Sequence, residues 1–311
     1  MSEGARPRDN RTALVTVAVR GRVSSPRVEG TALRIDREGR SFLLPGTGGV
    51  FPDVHVGDPV SHWLADHLMP GASVEDADAP AADPGTLHLL ACIGNRVRDA
   101  AGSHLGTVAG KRGGLAPGFL PPNFVSVEGP AARLESIVPG ATVVVEATGR
   151  GLALPDWPDV HLMNVSPAIL DVLPLREVAG RLEIAVRAVA PSRAAGAGIG
   201  QDAWIGDLEV ADPSLLSPAG IDLAFGDIVA FEAIDGRYGR YYRPGIVSVG
   251  VVAHGPSPAP GHGIGVTVLL AGPADRLSIV RDDEATIAPR LRRLAEGLRV
   301  DRDRDQRRSA P

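Results

Sequence analysis

Cys92 is the only cysteine in the chain. That rules out an intrachain disulfide and a cysteine-built zinc ribbon, and it suits a reducing cytoplasm. Long apolar runs are missing too. No stretch of 18 apolar residues occurs, so no membrane span is expected, and the apolar residues 13–19 end at Arg20, short of a signal-peptide core. Positive charge is not in excess: 32 Lys plus Arg face 37 Asp plus Glu, for a net charge of −5, and aromatic residues make up 4%. Such a surface offers nucleic acid little to hold. Lysine is nearly absent, Lys111 standing alone beside 31 arginines. Walker loops, HExxH, CxxC and the serine-hydrolase order do not occur.

Turn formers are plentiful instead. The 311 residues include 38 Gly and 27 Pro, spread through the chain, which suits many short strands better than long helices. Period-two patterns rich in β-branched residues predict strands over residues 12–20, 31–35, 41–44, 86–93, 106–109, 123–127, 142–148, 181–189, 227–233, 246–253 and 265–271. Ser166-Pro167 is a capping serine before a proline and predicts a short helix there; Asp212-Pro213 predicts a single turn. Ile287, Leu291, Leu294 and Leu298 share one face of a helix across residues 284–300, with Arg290, Arg292 and Arg293 on a solvated side. The fold class expected is mostly β, a composite of small β-barrel or sandwich modules with one C-terminal helix. The expected division is an N-terminal β module at 1–74, a barrel-like module at 86–172, a third β module at 181–275, the helix, and a disordered tail at 301–311, with residues 75–85 and 173–181 as connections.

The densest chemical candidate runs from Cys92 and Asn95 to Lys111, Gly113 and Gly114. Glycines let backbone amides approach an anion, and a lysine amine, unlike a guanidinium, can lose its proton when desolvated. The plainer readings are a surface lysine and a small core cysteine. Asp66-His67 pairs a carboxylate with an imidazole, able to move a proton or join a metal site. Asp159 and Asn164 belong to a second polar cluster, and His262 lies among glycines in a loop that His254 opens. Gly196 to Gly200 lacks the last glycine of a dinucleotide fingerprint.

Taken with residues 159–167, 198–200 and 250–272, these blocks resemble the prokaryotic family known as domain of unknown function 4438 (DUF4438), in the same order and over about residues 15–272. The resemblance implies a composite of small β-barrels and leaves the reaction unassigned. The positions that match the family pattern are Asp66, His67, Cys92, Asn95, Lys111, Asp159, Asn164, Asp235 and His262. Two do not. The family's Lys-His-Gly-Gly reads Lys111-Arg112-Gly113-Gly114 here, and its Asp-His-Asp-Asn reads Ala233-Ile234-Asp235-Gly236 before Tyr238-Gly239. The resemblance thus leaves a metal carried over from relatives in doubt.

The expected function is a cytoplasmic enzyme acting on a small anionic metabolite by hydrolysis or by elimination or cyclisation. Lys111 and the glycine amides would hold the anion, and His67, oriented by Asp66, would move a proton; Cys92, Asn95, Gly113, Gly114, Asp159, Asn164, Asp235 and His262 would line the ligand site. A non-catalytic ligand-binding or scaffold protein is the alternative. A KOW-like SH3 RNA-binding module, suggested by residues 102–108, comes third. No cofactor is expected, a divalent metal being allowed but not favoured, and one cysteine with scattered histidines argues against a closed structural zinc site. A homo-oligomer stays open.

Overall fold

The computed structural model describes residues 4–27, 34–46, 48–78, 85–114 and 123–298. The expected tail at 301–311 and the last two residues of the expected helix lie outside them. Among the described residues, nine strands form the first half: β1 (Val17–Val23), β2 (Arg34–Ile35), β3 (Ser41–Phe42), β4 (Val50–Phe51), β5 (Gly71–Asp76), β6 (Arg96–Asp99), β7 (His104–Arg112), β8 (Phe124–Glu128) and β9 (Thr142–Ala147). Strands β1-β9-β6-β7-β8-β5 are hydrogen-bonded in that order, and β5 pairs back onto β1, which closes a six-stranded antiparallel barrel; β4 adds to β5, and β2 and β3 form a separate ribbon. Closure removes the exposed edges that an open sheet must protect. Val74, Val97, Val108, Val125, Val127 and Val145 fill the interior.

The second half carries β10 (His161–Leu162), β11 (Leu175–Val178), β12 (Arg181–Val186), β13 (Ala188–Ala190), β14 (Leu208–Val210), β15 (Ile228–Asp235), β16 (Tyr241–His254), β17 (Ile264–Pro273) and β18 (Leu277–Arg281). A sheet runs β10-β17-β16-β15-β13 with β14 also on β17, and β11-β12-β18 form a three-stranded sheet. The mostly-β expectation holds.

Four corrections accompany it. Residues 86–93, expected as a strand, overlap the helix α1 (Gly85–Leu90). Its Leu87 amide donates to Asp76 Oδ2 at 2.7 Å and Leu87 packs into the barrel core, a tertiary cap that overrides the local alternation. The junction at 75–85 separates no modules, because β1 and β5 from before it close one barrel with β6 to β9 after it; its residues 79–84 lie outside the described segments. Nor does 86–172 stand alone, since β10 pairs with β17. After α2 (Ala131–Glu135) and α3 (Pro167–Leu170), capped by Ser166 as its sequence predicts, the terminal helix α4 spans only Ala288–Ala295. Pro289 sits in its first turn, and Gly297 follows at φ +75°. Arg292 on its outer face donates to the Val56 carbonyl and pairs with Asp58, docking the helix on the barrel side.

Candidate functional site

The barrel and the second sheet meet along β7. Pairing of β7 with β8 shifts register between Val108 and Gly110, a bulge of the kind that re-aims the following side chains. Beyond it, the Lys111 amide donates to Thr267 Oγ1 on β17 at 3.0 Å, and the Lys111 side chain is fully buried. Nζ donates to Asn164 Oδ1 at 2.8 Å and faces the Trp204 carbonyl at 3.5 Å. Asn164, at φ +53°, spends its amide group on the Ala203 and Val268 carbonyls, both at 2.9 Å. Burial pushes the amine pKa down from 10.5 to about 8, with Cys92 opposing and Arg150 and Arg240 adding to the fall.

Cys92 is buried as well, and burial raises its thiol pKa. Asn95 works on backbone: Oδ1 accepts from the Cys92 amide and Nδ2 donates to the Thr148 carbonyl. The amides of Gly113 and Gly114 are already taken, by Asp207 Oδ1 at 3.1 Å and Asn123 Oδ1 at 3.0 Å. They offer no anion cradle, contrary to the expectation for this loop. Asp235 is buried against Arg237 and Arg243. Asp159 is exposed, and its carbonyl accepts from Arg237.

His67 anchors a neighbouring cluster. The loop carrying it docks on the loop after β16, the Gly255 amide donating to the Leu68 carbonyl at 2.8 Å and the His67 amide to Pro256 at 3.2 Å. Nδ1 of His67 lies 2.8 Å from Asp66 Oδ1, while Arg34 holds Asp66 Oδ2 at 2.8 Å. Burial would raise the Asp66 pKa, but the His67 contact, Ser257 and Arg34 outweigh it and bring it down to about 2. On the other side, Nε2 of His67 is 3.1 Å from His262 Nδ1 and 3.6 Å from Glu209 Oε1, and those two atoms are 3.2 Å apart. The second oxygen of Glu209 accepts from the Gly263 amide at 2.6 Å. Burial opposes the Glu209 charge, yet the bonds from His262 and His67 hold its carboxyl well below the usual range. His254 completes the cluster: Nδ1 donates to the Gly255 carbonyl at 2.7 Å and Nε2 pairs with Asp207 Oδ2 at 2.8 Å. Gly265 lies opposite Glu209 in the β14–β17 register, and a Cβ there would reach 2.0 Å from the His254 ring. Only glycine leaves that ring its place.

Lys111 and His67 therefore belong to one buried polar seam as two adjacent clusters. Residues 206–207 join them: the Gly206 amide donates to His88 Nε2 at 2.9 Å, Arg240 caps the Gly206 and Asp207 carbonyls, and the Asp207 carboxylate serves Gly113 and His254. His262, with its side chain 31% exposed, is the member that reaches solvent. Asp207, Glu209 and Arg240 belong to no sequence motif. Their trace in the sequence is Asp207-Leu208-Glu209-Val210, two acids facing one side of a strand and two apolar residues the other. His67, Glu209 and His262 form one trio able to hold a metal ion, and Asp207, Glu209 and His254 another.

A cavity of 440 Å³ opens beside the Lys111 cluster. Met163, adjacent to Asn164, and Trp204 line it together with Leu152, Trp157, His161 and Arg237. Arg150 stacks on Trp204 at 3.9 Å, which sets a cation beside a mostly apolar lining.

The family models for domain of unknown function (DUF4438) match here, the N-terminal one over residues 33–171 and the C-terminal one over residues 172–291. The chain belongs to the DUF4438 family. A solved structure entitled "Crystal structure of TM1086" is similar at 32% identity and a TM-score of 0.81, covering 92% of this chain and 99% of that one. No curated protein matches. Among the described residues no DUF4438 helix here is long and apolar enough to cross a membrane.

Proposed function

We propose that this DUF4438 protein is an enzyme acting on a small anionic metabolite by acid–base chemistry, either a hydrolysis or an elimination or cyclisation. The observation that carries the reading is Lys111: the chain's one lysine, fully buried, with Nζ on Asn164 and facing the carbonyl of Trp204, a residue that lines the cavity, and with its amine pKa brought to about 8. Such an amine is part neutral near physiological pH and can take a proton, which the 31 arginines cannot. Arg150, stacked on the Trp204 that lines the cavity, suits a carboxylate or phosphate. The His67–Asp66 pair, with Glu209 and His262, is a second polar centre beside it and reaches solvent through His262.

A thermal-shift screen of anionic metabolites, followed by turnover assays on the ligands found, tests this. Turnover that vanishes in Lys111→Met while binding persists supports the reading. A ligand bound and never turned over by the natural sequence defeats it and leaves the second reading, a ligand-binding protein. Arg112 favours that second reading, because a buried guanidinium stands where the family pattern carries a histidine.

A further inference from the structure

Three atoms of the His67 cluster are arranged as ligands are around a small cation. Nε2 of His67, Nδ1 of His262 and Oε1 of Glu209 form a triangle with edges of 3.1, 3.2 and 3.6 Å. A tetrahedral ion with bonds near 2.05 Å spaces its ligands by about 3.3 Å. The point equidistant from these three atoms lies about 1.9 Å from each in their plane, so an ion displaced slightly to one side meets all three at ordinary zinc distances.

The surroundings fit the same purpose. A metal-bound imidazole commonly gives its other nitrogen to a carboxylate or carbonyl, which fixes the tautomer and turns the lone pair to the ion. His67 has that arrangement, with Nδ1 against Asp66 at 2.8 Å and Nε2 turned into the triangle. Glu209 is oriented likewise, its far oxygen held by the Gly263 amide. With no proton or cation between them, two imidazole nitrogens and a carboxylate oxygen at these separations would set lone pair against lone pair. The trio of Asp207, Glu209 and His254 is a poorer candidate. Its His254–Glu209 edge is 4.0 Å, longer than the spacing of ligands around such an ion.

We propose that His67, Glu209 and His262 bind one divalent zinc-type ion, with Asp66 as the positioning residue behind His67 and the fourth ligand position on the solvent side at His262. Histidines at 67 and 262 with a glutamate at 209 give a three-ligand set with an open position, the composition of catalytic rather than structural zinc sites. His67 then holds the ion instead of a mobile proton, and proton transfer is left to Lys111.

Full-length protein stripped with a chelator is titrated with Zn²⁺ by calorimetry, and with Co²⁺ while its visible absorption is followed. The expected result is one equivalent bound, with intense tetrahedral Co²⁺ bands. His262→Ala, made at the exposed member and checked for fold by circular dichroism, should lose the site. Asp66→Asn should weaken zinc by about 10- to 100-fold, whereas the exposed His62→Ala should bind as the natural sequence does. Absence of a stoichiometric site, or a His262→Ala protein that binds zinc unchanged, overturns the proposal. Binding is read without turnover, so failure of the enzymatic reading would leave the zinc site standing.

Discussion

The barrel interior and the seam beside it are built from the same strand in opposite chemistry. Up to the bulge, β7 sends Leu105 and Val108 into a core made of valine, leucine and alanine. Past it, the strand delivers Lys111 and Arg112 to a region where His67, Asn164, Asp207, Glu209, Arg240 and His254 are all buried. The first region is held by apolar area, which is tolerant of partner identity and additive in small steps. The second is held by specific bonds, where each group removed leaves another exposed to an apolar surrounding. A shift in the register of a strand pair thus divides a region that stabilises from one that can react.

That contrast sets the order of expected effects. Lys111→Met should lower turnover by about 10²- to 10⁴-fold once a substrate is found, with ligand binding measurable by calorimetry. Methionine is the cleaner probe than arginine, since a guanidinium would overfill a fully buried site. Asp207→Ala should cost about 3 to 5 kcal/mol in urea unfolding, because it strips the partner from His254 and from the Gly113 amide together. Leu134→Ala, a cavity in the barrel core, should cost about 3 kcal/mol with ligand binding unchanged. If the two substitutions affected binding alike, the contrast between core and seam would break.

The pH dependence sharpens it. Lys111 has its pKa lowered on folding from 10.5 to about 8, so the folded state carries fewer protons between those values and stability must rise with pH across that window. Relative to Lys111→Met, the natural sequence should be flat below about pH 8 and gain up to about 3 kcal/mol by pH 10.5. Parallel curves for the two proteins would show that the amine is not desolvated. At the small end, Arg8→Ala removes an exposed pair with Asp156 and should leave the thermal midpoint where it was.

Barrel strands β1, β7, β8 and β9 and the helix after Ser166 are legible in the sequence because period-two β-branched residues and a serine–proline cap act locally, whereas β5 and β6 fall outside the expected strands. Helix α1 is not legible either, for its cap comes from Asp76 eleven residues away. Asp66, His67, Lys111, Asn164 and His262 stand out by residue type, and the structure gathers them into the seam. Asp207, Glu209 and Arg240 do not, since only the pairing of β14 with β17 and the approach of residues 206–207 to Gly113 gives them partners. Asn95 and Asp235, which also stand out, spend their groups on backbone and on arginines.

Strand β10 falls within the first family match and yet completes the sheet of the second, pairing His161 and Leu162 with Ala271 and Leu270. A gene cut at residue 171 would therefore produce two fragments with an unpaired sheet edge on one and His67 without Glu209 and His262 on the other. Neither piece could inherit the site by itself. The two matched segments share one sheet and one site, so only the joined chain carries both.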